Sequence, residues 1–167
     1  MTRFAVQGLV LAMAVPVVGA GFVEASAPGN RSGVKKVSTK TVTEAETEAS
    51  LKGAGAQAAA KGHAESKVTT VTDTTTNTST VKSCLSISVK GLVNLEGLVV
   101  TFNLGNSTLG TGTVKNGRAS LTLSSKTATV PTVNPGDIIS VIDPDGTTVD
   151  LSGAFGAVQT ETESSGK

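Results

Sequence analysis

Four carboxylates crowd one stretch of this chain, Asp137, Asp143, Asp145 and Asp150, within "GDIISVIDPDGTTVDLSG". Carboxylate oxygens gathered around a turn are what calcium selects, because a hard cation prefers charged oxygen donors. Asp143-Pro144-Asp145-Gly146-Thr147 has the look of an EF-hand loop, yet the spacing fails. With Asp143 and Asp145 at the third and fifth loop positions, the first falls on Val141 and the twelfth on Ser152. What remains open is a weak calcium or small-ligand site outside that pattern, with Asp143, Asp145 and Asp137 as ligands. The competing reading takes the same residues as turn formers, since an Asp side chain bonds readily to the backbone two residues on.

Other chemistry finds little material. Nucleophilic catalysis needs a base held beside a nucleophile. The single histidine, His63, lies in a polar segment far in sequence from the single cysteine, Cys84. Cys84 cannot close an internal disulfide, so it is either a small half-buried residue or a thiol for an intermolecular bond. There is no Trp and no Tyr to stack on a sugar. Gly105, Gly110 and Gly112 belong to β structure and not to a phosphate loop entering a helix. With 14 basic and 13 acidic residues spread over the chain, no stripe of positive charge offers itself to nucleic acid. These observations point away from an enzyme, a cofactor, a nucleic acid or a small-molecule substrate.

The elements that would position the carboxylates begin with an address. Arg3 precedes "FAVQGLVLAMAVPVVGAGFV", an uncharged apolar stretch interrupted by Pro16. Small residues follow, and both Val18-Gly19-Ala20 and Val23-Glu24-Ala25 suit signal peptidase. Residues 1–25 are therefore expected to be a signal peptide and the chain to be exported, to the periplasm, the cell surface or the medium. An uncleaved anchor is the rival, and membrane contact would come through that segment alone.

Residues 26–81 read as an Ala/Thr-rich linker, disordered or partly helical, with too few large aliphatics to bury a core. Thr41 and Glu44 have capping-box spacing, and Glu48 stands four residues before Lys52, which allows a short helix over about residues 43–60, weakened by Gly53 and Gly55 in a segment read as mostly disordered. "TTVTDTTTNTST" is a threonine-dominated spacer.

From Lys82 the texture changes to alternation. Leu85, Ile87 and Val89 share one face of a strand, as do Leu98, Val100, Phe102 and Leu104, and period two marks a half-buried strand. Asn116-Gly117 predicts a type I′ hairpin with Val114 opposite Ala119, Gly112 opposite Leu121 and Gly110 opposite Leu123. Asp143-Pro144-Asp145-Gly146 predicts a second hairpin with Val141 opposite Val149 and Ile139 opposite Leu151, leaving Ile138 and Ile142 outward as a small apolar patch. Pro131 and Pro135 confine any strand between the hairpins to an edge.

"GLVVTFNLGNSTLGTGTVKNGRASLTLS" followed by "VPTVNPGDIISV" resembles the bacterial Ig-like repeat domains of surface and adhesion proteins, over about residues 97–142. The resemblance implies an Ig-like sandwich with a spacer or adhesive role and no catalytic residue. The fold expected is thus all-β, a small Ig-like antiparallel β-sandwich of six or seven strands over residues 82–155, followed by a disordered tail at 156–167. The function expected is a non-enzymatic exported module that binds a protein or cell-envelope component through a strand edge or the Ile138/Ile142 face. The alternative is a weak calcium- or small-ligand-binding module.

Overall fold

The computed structural model describes residues 39–166, so the signal-peptide reading of residues 1–25 lies outside the described residues. The described chain is all-β: β1 (Thr39–Gly53), β2 (Lys61–Asp73), β3 (Thr78–Lys90), β4 (Val99–Leu104), β5 (Ser107–Thr113), β6 (Arg118–Ser124), β7 (Ile138–Ile142), β8 (Val149–Ala154) and β9 (Gln159–Gly166). Every pairing is antiparallel. The strands form one continuous sheet in the order β5-β4-β7-β8-β1-β2-β3-β6, with β9 added on β1. Its two ends approach each other at the Lys115–Arg118 bridge, which nearly closes the sheet into a barrel.

Most of the alternation read from the sequence puts its side chains inside, whereas Leu98 precedes β4 and is 45% exposed. Leu85, Ile87 and Val89 of β3 and Val100 and Phe102 of β4 are buried together with Val114, Ile139, Val141 and Leu151. Burying such side chains contributes about 1.5–3 kcal/mol each. Phe102 and Phe155 are the aromatic rings buried in the core among the described residues, and Phe102 fits because Gly112 has no side chain. A Cβ there would lie 2.9 Å from Phe102 Cε2, too close for any real contact. The room left by the glycine is filled by a ring from the neighbouring strand.

The Asn116-Gly117 turn forms as read, with φ of 52° and 65° at its two central residues and Lys115 opposite Arg118. Both turn N–H groups donate to the Glu96 carboxylate, Asn116 at 3.0 Å and Gly117 at 3.1 Å. Those bonds hold the Glu96 carboxyl below its ordinary range. Beyond the bridge the expected ladder is replaced: β5 pairs with β4 and β6 with β3. Val114 shows why, because its C=O accepts from Gly97 at 2.9 Å and its N–H donates to Leu98 at 2.8 Å. A barrel closes only if its strands tilt and stagger, and the hairpin splays to allow it.

The second hairpin is shifted by two residues. Val141 faces Leu151 and Ile142 faces Val149, with a register break between them. Asp143 N–H closes the loop on Thr148 C=O at 3.0 Å, which uses up more residues than a tight turn would. The extra residue on β8 is Asp150, so Asp150 and Leu151 are consecutive buried residues, as a bulge produces. Val149, expected in the core, is 44% exposed.

The largest departure lies upstream. From Thr39 the expected linker is strand, the helix read over about residues 43–60 is absent, and β3 runs through the boundary placed at residue 82. β1 and β2 pair over thirteen registered positions from Lys40–Asp73 to Lys52–Lys61. They carry Ala49, Leu51 and Ala64 into the core. The loop between them adds Ala60 and Gln57. The Gln57 amide clamps Val93, donating to its C=O at 2.9 Å and accepting from its N–H at 2.8 Å. The tail is β9, paired with β1 from Glu46–Gln159 to Thr39–Gly166. Limited proteolysis is expected to leave a resistant fragment that starts near Thr39; a stable fragment starting near Lys82 would show β1 and β2 to be dispensable.

Candidate functional site

The acidic hairpin is built for its own turn before it is built for a ligand. Asp145 Oδ1 accepts from Thr147 N–H at 2.6 Å, Thr147 Oγ1 at 2.8 Å and Thr148 N–H at 3.0 Å, while Oδ2 accepts from Thr148 Oγ1 at 3.0 Å. A hydrogen bond from Asp143 and these donors hold the Asp145 carboxyl far below its ordinary range. The same contact with Asp145, then burial and the Asp145 charge, push Asp143 up. Asp137 serves elsewhere: its Oδ2 accepts from Asn134 N–H at 2.8 Å and closes the turn that enters β7.

Asp150 is the carboxylate that the sequence reading left out of its ligand set. It is 5% exposed, and its Oδ2 has no hydrogen-bond partner. Burial, and after it the charges of Asp143 and Asp145, push its pKa up. The structure thus brings Asp143, Asp145 and Asp150 to one hairpin and leaves Asp137 at another turn. Among the described residues no three His, Cys, Asp or Glu side chains are grouped so as to hold a metal ion.

The apolar patch is divided. Ile138 is 55% exposed and Ile142 is half-buried. Between them the Ser140–Ser152 pair crosses the same face, while Val149 stands opposite Ile142. His63 and Cys84 both lie in the β1–β2–β3 ribbon but on separate rungs: His63 pairs with Ser88, and Cys84 pairs with Lys67. Four residues along a strand is about 13 Å. His63 Nε2 stands 3.9 Å from Glu48 Oε1.

A feature that sequence reasoning missed is the four-stranded extension β9-β1-β2-β3, which runs on past the last β3–β6 pair, Cys84–Ser124. No residue of 39–46, 67–73, 78–83 or 159–166 is buried. Opposed residues share a face, so the register sorts its side chains into rungs. One face carries Ser164-Thr41-Thr72-Ser79, Thr162-Thr43-Thr70-Val81 and Thr160-Ala45-Val68-Ser83, without a charge. Hydroxyls meet across its strands, Thr41 with Ser164 at 3.4 Å and Thr43 with Thr162 at 3.4 Å.

The other face is charged. Its rungs include Glu161-Glu44-Thr69-Lys82 and Glu163-Val42-Val71-Thr80. Lys67 Nζ reaches Glu44 Oε2 at 2.6 Å. That hydrogen bond and charge, with Glu46 and Glu65 further off, raise the Lys67 pKa. Glu44, Glu46, Glu48 and Glu161 line an open cleft of about 530 Å³ where β9 leaves β1. The signal was present in the sequence: Glu44, Glu46 and Glu48 alternate with Thr43, Ala45 and Thr47, a period of two.

Compared with known proteins, the chain matches no family model and no curated sequence.

The buried Asp150 gives a pH test. A carboxyl whose folded pKa is raised contributes stability that is complete below its unfolded pKa and is lost as pH rises through the folded value. Ionised Asp150 therefore costs stability at neutral pH. Asp150→Asn is expected to raise the melting temperature by about a few degrees at pH 7, with the gap closing as pH falls toward about 4. Asp145 has the opposite sign, so comparing the variant with the parent at each pH isolates Asp150. An equal gap at pH 4 and pH 7 would contradict this assignment.

Proposed function

We propose that the protein is a non-enzymatic exported module that binds a protein or cell-envelope component, and that its working surface is the extension and its edges. One observation carries the reading: the chain spends four strands on a sheet segment that buries no side chain, while its core is completed elsewhere. Edge backbone groups are a template for another strand. Among the described residues β9 pairs with β1 alone, and β3 has no outer ladder partner over residues 78–83. The uncharged threonine face and the charged face then give an arriving partner two distinct chemistries.

The Ig-like reading of residues 97–142 supports the same role, a rigid display domain. Export rests on the sequence of residues 1–25. Ile138 and Ile142 become a secondary surface, since the Ser140–Ser152 pair divides them.

One observation favours the alternative, calcium at the hairpin: Asp150 Oδ2 is buried without a partner beside Asp143 and Asp145. Against it, Asp145 already accepts four hydrogen bonds. Melting the protein with and without calcium separates the two readings, because a specific site raises the melting temperature as the cation concentration rises. The interaction reading predicts no shift.

Photo-crosslinkers placed singly at Val81, Thr162 and Ile138 in intact cells, with fractionation, test the main reading. Cross-links are expected from Val81 and Thr162, in an exported fraction. Cross-links from Ile138 alone would move the surface to the apolar patch, and recovery in the cytoplasm would remove the export step.

A further inference from the structure

Among the described residues the two outer edges of the extension carry no further strand, and they match each other. Strand β3 is antiparallel to β2, β2 to β1 and β1 to β9, so β3 and β9 run antiparallel. A second copy shifted along the hydrogen-bonding direction meets the first in the arrangement that already fills the sheet. The backbone parity also agrees. Ser83 turns its polar groups to the outer side of β3, its C=O accepting from Ser125 N–H at 2.9 Å and its N–H donating to Ser125 Oγ at 3.0 Å. Alternation then turns Ser79 and Val81 outward. On β1, Glu48 C=O accepts from Gly156 at 2.8 Å, so the even-numbered residues face β9. Their partners Gln159, Glu161 and Glu163 face inward, which leaves Thr160, Thr162 and Ser164 outward.

The rungs decide the register. Val81 and Thr162 lie on one rung, Ser79 and Ser164 on another, so outward groups meet outward groups with no slip along the strands. On the charged face Lys82 and Glu161 lie at opposite ends of a single rung, so Lys82 of one copy stands opposite Glu161 of the next. We propose that a second copy of this chain is the partner of the extension, its β9 edge adding to the β3 edge of the first in a head-to-tail, open-ended sheet.

This inference rests on the interaction reading above and names its partner. Antiparallel β9–β9 pairing centred on Thr162 would instead set Glu161 against Glu163 of the other copy, like charges directly opposed. Twist keeps the barrels apart. Four strands advance the sheet by about 19 Å and turn it by about 80–100°, so successive barrels project in different directions.

The test uses the full chain, followed by sedimentation and electron microscopy over a range of concentrations. Concentration-dependent, open-ended assemblies are expected. Lys82→Glu or Glu161→Lys alone should raise the concentration needed by about tenfold, attraction being exchanged for repulsion at one pair. The double variant should recover assembly, and so should an equal mixture of the two single variants, which alternate. Val81→Pro should abolish assembly without lowering the melting temperature, because it removes an outward N–H on an edge strand.

A chain that stays monomeric at all concentrations overturns the proposal. So do closed dimers indifferent to Glu161→Lys, which would mean β3–β3 pairing, and so does aggregation that ignores every substitution. If the purified chain is monomeric while Val81→Pro erases cross-links to another component in cells, self-association falls and the edge reading survives. If those cross-links also persist unchanged, both fall.

Discussion

A fifteen-residue strand must satisfy its backbone N–H and C=O groups along two sides, and β1 does so with three partners. β2 takes one whole side. The other is divided, with β8 bonded at Lys52 and Gly53 and β9 bonded from Thr39 to Glu46. Between them the chain crosses over at residues 155–158, where Gly156 N–H donates to Glu48 C=O at 2.8 Å and Thr47 Oγ1 donates to Gly156 C=O at 2.9 Å. That crossing is the seam between barrel and extension. On the barrel side β1 contributes Ala49 and Leu51 to the core, whereas on the other side none of its neighbours is buried.

The legible part of the fold was the part with large aliphatics. Leu85, Ile87, Val89, Val100 and Phe102 announce their strands by period and by size, and Asn116-Gly117 announces its turn by backbone preference. The sequence could not reveal how the hairpin's strands would be shared out, because that depends on closure of the barrel and on Gly97 and Leu98 claiming the backbone of Val114. In β1 and β2 the buried residues are Thr47, Ala49, Leu51, Ala64 and Ser66, mostly too small or too polar to register as hydrophobic. Alanine also carries little strand preference. Glu48 and Lys52 fit a helical pair as well as they fit alternate positions of a strand. Only the alternation of Glu44, Glu46 and Glu48, repeated in Glu161 and Glu163, distinguished the two.

Among the carboxylates the same limit applies at a finer scale. Asp143 and Asp145 sit in a turn that their sequence spells out. Asp137 was grouped with them on nearness in sequence, yet the strand that separates them places it at the other end of β7. Asp150 reads as one more outward polar residue until the bulge shifts it inward. A single inserted position changes which face a residue meets, and no local pattern in "TTVDLSG" marks where the insertion falls.

An exposed edge is a hazard that proteins ordinarily blunt with lysine, proline or a covering loop. Here Ser125 covers Ser83, Lys82 stands on one edge, and Glu161 and Glu163 stand on the other. Those charges discourage two β9 edges from meeting, yet Lys82 and Glu161 occupy the two ends of one rung and attract when edge meets opposite edge. Repulsion against the wrong pairing and attraction for the right one are the two ways in which affinity becomes specificity. The uncharged face adds no preference of its own, because hydroxyls such as Thr43 and Thr162 bond with any polar neighbour. Register along the edge therefore rests on few side chains, with the backbone supplying the adhesion and the charged face the selection.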